Sequence, residues 1–128
     1  MNLVDSSGWL EYFSDGPNAD SFAKPLQDLN NLIVPTICIY EVFKVILRER
    51  SEDDALQAAA LMEQGQVVDL TSEIAIQAAK ISFEYKIPMA DNIILTTARF
   101  YNAIVLTQDN DLEKFQDVKY ISKSIKNK

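Results

Sequence analysis

The sequence predicts an α/β protein, specifically a three-layer α/β/α sandwich with a mainly parallel central sheet. Short apolar runs of strand length alternate along the chain with longer segments of helical periodicity. The apolar runs indicate strands covered on both faces, and parallel strands need crossover connections between them. The chain has 128 residues, 48% of them hydrophobic, and no repeat or linker-like segment. We therefore expect one domain over residues 1–128.

Five apolar runs are the strand candidates. The clearest is AIVLT, a continuous apolar run that ends in the polar sequence QDND. In chain order the candidates are NLV at 2–4, LIVP at 32–35, VVDL at 67–70, AIVLT at 103–107 and VKYI at 118–121.

Six segments between these runs have helical patterns. Thr36 and Ser51 are positioned to cap two of the helices, Gly65 to end one, and Pro88 to begin the last. The segments are SSGWLEYF at 6–13, an amphipathic stretch at about 19–29, the segment around Glu41 at 37–47, SEDDALQAAALMEQG at 51–65, a segment with Ile74, Ala78, Ile81 and Tyr85 on one side, and PMADNIILTTARFYN at 88–102.

Composition restricts the chemistry that is available. The chain has no histidine, which removes the commonest acid/base residue at neutral pH and the usual nitrogen ligand of metals. Its only cysteine, Cys38, lies among apolar residues and is expected in the core. The net charge of −7 disfavours a broad non-specific grip on nucleic acid. Any catalysis is expected to rest on carboxylates.

The sequence has no targeting signal that we recognise. MNLVDSS lacks the basic region and the apolar run of a secretory signal, and no stretch approaches the roughly 20 apolar residues of a membrane helix. We expect a cytoplasmic protein without a membrane partner.

Four acidic residues do not fit a solvated surface. Asp5 directly follows the first strand candidate and Asp109 follows AIVLT, so both point to the edge where open parallel sheets bind ligands. Glu41 and Asp91 each share a helix face with apolar residues. An unpaired carboxylate on a buried face costs several kcal/mol, so Glu41 should have a cation, a hydrogen-bond network or a raised pKa.

Each acid also has a simpler structural explanation. Asp5 or nearby Ser6 can cap the first helix, Asp91 can act in a helix first turn, and Asp109 or Asp111 can be ordinary turn or cap residues. Glu41 can make a structural hydrogen bond or extend its carboxylate to water. Taken together, the four acids can meet in one cleft. At about 5 Å separation each ionised pair repels by roughly 3 kcal/mol at an effective dielectric constant of about 20. Such a cluster must bind protons or cations, and an all-oxygen set favours Mg²⁺ or Mn²⁺. Metal-assisted hydrolysis of a phosphodiester follows as a hypothesis.

Four stretches in order, LVDSS, YEVFK, ADNIILTTA and IVLTQDNDLEKF, resemble the PIN domain, and in particular the VapC-type toxins of toxin–antitoxin systems. The resemblance spans nearly the whole chain, although no single motif is specific. Two positions depart from the family pattern. Asn92 replaces the small residue that often follows the third acid, and the glycine often found after the glutamate is absent.

The resemblance implies a Mg²⁺- or Mn²⁺-dependent endoribonuclease that cleaves structured RNA such as tRNA or rRNA. It also implies a homodimer and inhibition by a cognate antitoxin. By resemblance, the metal-binding quartet is Asp5, Glu41, Asp91 and Asp109, and Thr107 and Asp111 match supporting residues of the family. Ser6 and Asn92, which adjoin Asp5 and Asp91, are further candidate supporting residues.

Local basic residues are needed if RNA is the substrate of so acidic a chain. Lys44 and Arg48 follow Glu41 by three and seven residues, so among the cations we favour these two for contact with RNA phosphates, with ordinary solvated side chains as the alternative explanation. Further cations that can form basic patches include Lys119, Lys123, Lys126 and Lys128 near the C-terminus.

Two alternatives remain open at the level of sequence. A signalling receiver domain also carries acids and Mg²⁺ at strand ends, but it needs an acid after a central strand and a lysine after a late one, and IVLT leads to QDND without a lysine. A catalytically silent PIN-like binding module would keep the fold without the activity. A nucleotide-binding enzyme is disfavoured, because no glycine-rich phosphate loop is present.

Overall fold

The computed structural model describes residues 1–123 and contains one five-stranded sheet, which confirms the predicted α/β/α class. All four pairings between neighbouring strands are parallel, and the spatial order is β3-β2-β1-β4-β5. The strands are β1 (Asn2–Val4), β2 (Leu32–Pro35), β3 (Gln66–Val68), β4 (Ile104–Thr107) and β5 (Val118–Tyr120).

Helices connect the strands as parallel pairing requires. Two short 3₁₀ turns, Leu29–Asn31 and Asn110–Leu112, precede β2 and β5. The α-helices are α1 (Ser6–Phe13), α2 (Ala19–Gln27), α3 (Thr36–Glu49), α4 (Glu52–Met62), α5 (Ser72–Glu84) and α6 (Met89–Phe100). Within residues 1–123, none of these helices has the length and apolar character to cross a membrane.

The core lies on both faces of the central strands. Leu32, Ile33 and Val34 are consecutive and fully buried, and consecutive strand residues point to opposite faces. The sheet is therefore covered on both sides. Helix α1 lies so close to β1 that a Cβ atom on Gly8 would come within 2.5 Å of Val4 Cγ1 and 2.7 Å of Phe22 Cε1.

The order of the strands creates a crevice. The chain passes from β1 to β2 and β3 on one side, then returns to place β4 on the other side of β1. In open parallel sheets, ligands bind beyond the carboxyl ends of the strands at such a reversal. Here those ends are followed by Asp5 after β1 and by Asp109, two residues after β4. Asp69 follows β3, and β3 is an edge strand, so VVDL is not the central strand after which a receiver domain carries its acid.

Several predicted boundaries were wrong by a few residues. Thr36 does not cap α3: Pro35 holds the cap position without a side-chain bond, and Thr36 is the first helical residue. Helix α4 begins with Ser51 as its cap, as predicted, but ends at Met62 and not at Gly65. Pro88 precedes α6 instead of beginning it.

The strand and helix ends also shift. Only part of VVDL is a strand, because β3 covers 66–68, and AIVLT and VKYI each lose one residue. The stretch at 19–29 ends as an α-helix at Gln27. These differences arise where main-chain hydrogen bonds to a neighbour stop, which an apolar pattern does not report.

Candidate metal centre

Three of the four predicted acids converge at the crevice. Asp5, Asp91 and Asp109 each offer a carboxylate oxygen that lies within 4.8 Å of those of the other two. Asp5 follows β1, Asp109 follows β4, and Asp91 belongs to the first turn of α6. Positions more than 80 residues apart in the chain thus contribute to one cluster.

Asp5 is held rigidly by hydrogen bonds. It is 2% exposed and forms the N-cap of α1, accepting a hydrogen bond at Oδ1 from the Gly8 amide at 3.1 Å. Ser7 Oγ donates to the same oxygen at 2.6 Å, and Thr107 Oγ1 donates to Oδ2 at 2.6 Å. The capping explanation and the cluster explanation are therefore both correct for this residue.

Thr107 links the two strand ends. Its side chain is fully buried, donates to Asp5 and accepts a hydrogen bond from the Asp109 amide at 2.8 Å. The Asp109 carboxylate accepts a hydrogen bond from the Asp111 amide at 2.9 Å, and Asp109 thereby caps the following 3₁₀ turn. One hydroxyl thus fixes the relative positions of two carboxylates.

Asp91 is the least satisfied acid of the cluster. It is 7% exposed, and its Oδ2 is buried without a hydrogen-bond partner among the described residues. Its apolar setting was predicted, since Ile94, Leu95 and Ala98 are all buried. Burial, with the nearby Asp109 carboxylate as the next cause, raises the pKa of Asp91 to about 8. The position in the first turn of a helix, which favours the anion, does not offset these effects.

The cluster is electrostatically unfavourable when it is fully ionised. At 4.8 Å, two carboxylate charges repel by about 3.5 kcal/mol at an effective dielectric constant of about 20. Burial raises the pKa of Asp5 to about 6, and the hydrogen bonds from Ser7, Thr107 and Gly8 act against the rise. The site therefore favours bound protons or cations near neutral pH.

Glu41 lies outside the set of three. It is half-buried on α3, beside the buried stripe of Cys38, Val42 and Ile46, and it accepts a hydrogen bond from Ser6 Oγ at 2.6 Å. This bond supplies the partner that the sequence demanded, without a cation. Glu41 remains near Asp5, because its hydrogen-bond partner Ser6 is the residue directly after Asp5. Burial mainly raises the pKa of the Cys38 thiol, and the Asp5 and Glu41 carboxylates add to this rise.

Two of the predicted supporting residues, Asn92 and Asp111, lie next to the cluster without a hydrogen bond to its carboxylate side chains other than the one from the Asp111 backbone amide. Asn92 is buried beside Asp91 and donates from Nδ2 to the Ile87 carbonyl at 3.2 Å. Asp111 is exposed, and its charge contributes to the raised pKa of Asp91.

The predicted phosphate contacts have other neighbours in the structure. Lys44 Nζ lies 5.7 Å from the centre of the Tyr40 ring, and Arg48 forms an ion pair with Glu49 at 3.0 Å. Lys126 and Lys128 lie outside the described residues. The contact of Lys44 and Arg48 with RNA stays a prediction.

Sequence reasoning missed two residues of this site. Ser7 binds Asp5 and accepts a hydrogen bond from the Gln108 amide at 3.2 Å, and the Gln108 side chain is itself nearly buried. The serine pair after Asp5 was a usable signal for Ser7. Nothing in the local pattern marks Gln108, because its partners come from α1 and the loop after it.

The donor set fits a divalent cation. The three acids offer only carboxylate oxygens, the ligands that Mg²⁺ and Mn²⁺ prefer. The unpartnered Oδ2 of Asp91 is an atom that a cation would satisfy. The class of protein is thus a parallel α/β sandwich with a carboxylate cluster at its strand reversal, and the donor atoms of that cluster suit a hard cation.

Comparison with known proteins assigns the family. The PIN domain family matches residues 3–118, which is most of the chain, and the chain belongs to that family. No curated protein matches it. The predicted PIN-like fold is therefore confirmed.

Several solved structures have the same fold, and two of those described below are a toxin–antitoxin complex and a toxin. A toxin–antitoxin complex from Klebsiella pneumoniae is 20% identical with a TM-score of 0.78, covering 93% of this chain and 96% of that one. VapC20 from Mycobacterium tuberculosis, a toxin that cleaves the sarcin–ricin loop, is 16% identical with a TM-score of 0.74, covering 92% and 98%. VapBC2 from Rickettsia felis, bound to a promoter DNA fragment, is 13% identical with a TM-score of 0.75, covering 96% and 98%. At these identities the likeness shows the fold.

Proposed function

We propose that this protein is a Mg²⁺- or Mn²⁺-dependent endoribonuclease, the VapC-type toxin of a type II toxin–antitoxin system. The observation that carries the proposal is the buried cluster of Asp5, Asp91 and Asp109 at the strand reversal of a PIN domain. Such a cluster has an energetic cost for folding, and the capping roles of Asp5 and Asp109 do not require the buried carboxylate of Asp91 beside them. A role in holding cations against a phosphodiester accounts for it.

In this proposal Asp5, Asp91 and Asp109 hold the cation. A divalent ion bound there supplies Lewis-acid activation of water and stabilisation of charge on phosphate oxygens. The chain's own groups fix the geometry: Ser7, Gly8 and Thr107 orient Asp5. The set is thereby largely preorganised before substrate arrives.

Glu41 acts at the border of the set. Ser6 donates a hydrogen bond to Oε1 of Glu41, whereas Oε2 accepts no hydrogen bond from the residues that the structure describes. We propose that Glu41 joins the cluster as its fourth acid, through direct or water-mediated contact with the cation. Thr107 and Ser6 are then positioning residues, Asn92 and Asp111 border the site, and Lys44 and Arg48 contact RNA phosphates.

RNA is the substrate that we propose, with tRNA or rRNA as the class. The similar VapC20 is described as cleaving the sarcin–ricin loop, which is an RNA target. The proposal places the protein in the cytoplasm, where such RNA is found, and treats residues 1–128 as one PIN-like domain.

A cognate antitoxin is the proposed protein partner, because the similar structures include toxin–antitoxin complexes. An open groove of about 320 Å³ between α1, α3 and α4 suits it. Leu10, Phe13, Ile46 and Leu61 line this groove together with the charged Arg50. Apolar side chains of an antitoxin segment can be buried there. Leu61→Lys should then weaken co-purification with the cognate antitoxin, without lowering RNA cleavage.

We also propose a homodimer. Phe83 is 96% exposed, and Ile76, seven residues earlier on α5, is exposed on the same helix face. Met89 at the start of α6 is exposed as well. Exposed apolar clusters of this kind mark interaction surfaces. Light scattering should give twice the mass of one chain, and Phe83→Glu should give the monomer mass.

The test of the nuclease is cleavage of total RNA by the pure protein with Mg²⁺ or Mn²⁺, followed by mapping of new 5′ ends. Asp5→Asn and Asp91→Asn should each abolish cleavage while circular dichroism shows an intact fold. Asp53→Asn, at an exposed acid in the first turn of α4, is the matched control and should cleave normally. An unchanged rate in either cluster variant would refute the assignment, and a silent wild type would favour the PIN-like binding module.

A further inference from the structure

A second cleft adjoins the carboxylate cluster on the side of β5. It encloses about 540 Å³ between the segment after β4 and the segment after β5. Its lining includes Asp109, Asn110, Tyr120, Ser122 and Lys123. Because Asp109 belongs both to this cleft and to the cluster, an occupant of the cleft lies directly beside the reacting centre.

Hydrogen bonds from outside the cleft hold its walls in place. Asn18 Nδ2 donates to Gln108 Oε1 and to the Ser122 carbonyl, each at 3.0 Å, so one amide ties both segments together. Gln108 Nε2 donates to Glu11 Oε1 at 3.2 Å, and Glu11 Oε2 accepts a hydrogen bond from the backbone amide of Asn18 at 2.6 Å. Glu11, Asn18 and Gln108 thus form a closed network, and the cleft exists before a ligand binds.

The lining chemistry matches a nucleotide. Tyr120 offers an aromatic ring for base stacking, and Asn110 and Ser122 offer polar groups at the rim. Lys123 is exposed, and no carboxylate of residues 1–123 forms an ion pair with its ammonium. A volume of this size accommodates one nucleotide unit, since ligand pockets span about 300 to 1,000 Å³.

We propose that this cleft binds the nucleotide of a single-stranded RNA segment next to the bond to be cleaved, with its base on Tyr120 and a phosphate at Lys123. The inference rests on the proposed function and specifies its substrate. In this proposal the RNA strand passes the carboxylate cluster on the side of β5. This arrangement also explains how a chain with net charge −7 binds RNA, because base stacking and a few local cations replace a broad basic surface.

The experiment measures binding separately from cleavage. The parent protein is the full chain with Asp91→Asn, and the probe is fluorescein-labelled oligouridylate followed by fluorescence anisotropy. Tyr120→Leu in this parent should weaken binding about tenfold, because stacking on the aromatic ring is lost. Tyr120→Phe should bind within about twofold of the parent, since the ring remains.

The cation is tested through salt dependence. Lys123→Gln should weaken binding and reduce the slope of log affinity against log salt by about 0.7, the value for one phosphate contact to a single strand. Lys119→Gln is the matched control, because Lys119 is exposed on the same strand as Tyr120 but does not line the cleft. It should leave affinity and slope unchanged. Circular dichroism of each variant checks that β5 is intact.

The outcomes separate the cleft from the nuclease. If Tyr120→Leu and Lys123→Gln bind RNA as the parent does, or the parent binds none, the cleft proposal is overturned, whatever the wild type cleaves. If binding follows Tyr120 and Lys123 but the wild type cleaves no RNA with Mg²⁺ or Mn²⁺, the cleft is upheld as an RNA site and the nuclease proposal fails.

Discussion

Replacing Asp91 by asparagine should stabilise the metal-free protein, and the gain should grow with pH. The pKa of Asp91 is raised from its ordinary 3.8 to about 8 by burial and by the Asp109 charge. Between these two values the folded state keeps a proton that the unfolded state releases. Folded stability therefore falls as pH rises through this window. Asparagine carries no charge in either state and avoids this cost.

The size of the effect follows from the shift. One pKa unit corresponds to 1.36 kcal/mol, so retaining the proton at pH 7.5 costs the wild type up to about 5 kcal/mol. Water at the rim of the cluster screens part of this, and we expect a gain of about 2 to 3 kcal/mol for Asp91→Asn. The gain should increase by up to about 1.4 kcal/mol per pH unit between about pH 5 and pH 8. At about 3 °C per kcal/mol, the melting temperature should rise by about 6 to 9 °C near pH 7.5.

Urea unfolding of wild type and variant in EDTA, at several pH values, measures this directly. Asp53→Asn is again the control, because it removes an exposed charge from a helix first turn and should show no pH-dependent gain. Added Mn²⁺ should stabilise the wild type more than the variant, which has lost a ligand. A loss of stability in Asp91→Asn, or a gain that is constant with pH, would refute the electrostatic reasoning.

Three further predictions concern the groups around the cluster. Gly8→Ala should lower stability by about 1 to 3 kcal/mol in urea unfolding, because the new methyl group meets the Phe22 ring at 2.7 Å; a neutral result would mean that α1 shifts freely over the sheet. Thr107→Val should cost about 1 to 3 kcal/mol and weaken Mn²⁺ binding in calorimetry, because it removes the buried donor to Asp5 Oδ2; unchanged Mn²⁺ affinity would argue against its positioning role. Glu41→Gln should lower RNA cleavage but reduce Mn²⁺ affinity less than Asp5→Asn does, since Glu41 lies outside the set of three acids; equal losses would make it a full ligand.

Much of the fold could be predicted from local pattern. The continuous apolar run of β4 was recognised because burial on both faces of a strand leaves a local imprint in the sequence. Helix α6 was recognised from an apolar face, although the structure buries all of its residues from Asp91 to Ala98 and not one face alone. The ends of elements were less predictable. Thr36 has the chemistry of a cap, yet the chain enters α3 through Pro35, because β2 continues its pairing up to that residue.

Some residues of the candidate site could likewise be predicted from the sequence, and others could not. Asp5, Asp91 and Asp109 were identified because a charge beside apolar neighbours or at a strand end is unusual enough to see in the chain. Glu41 was identified for the same reason, but the structure gives it Ser6 as partner and leaves it beside the set. Gln108 could not be identified, since its role depends on Glu11 and Asn18, which lie about 90 residues away in sequence.

The sequence by itself determined the α/β class and which carboxylates have apolar neighbours, because burial produces a pattern of apolar residues at short spacing along the chain. Only the tertiary structure decided that β4 returns to the far side of β1, which brings three of those carboxylates within 4.8 Å and opens the cleft beside Tyr120. The physical reason is that strand order and side-chain convergence depend on contacts between distant segments, and no local pattern encodes the distance between two charges.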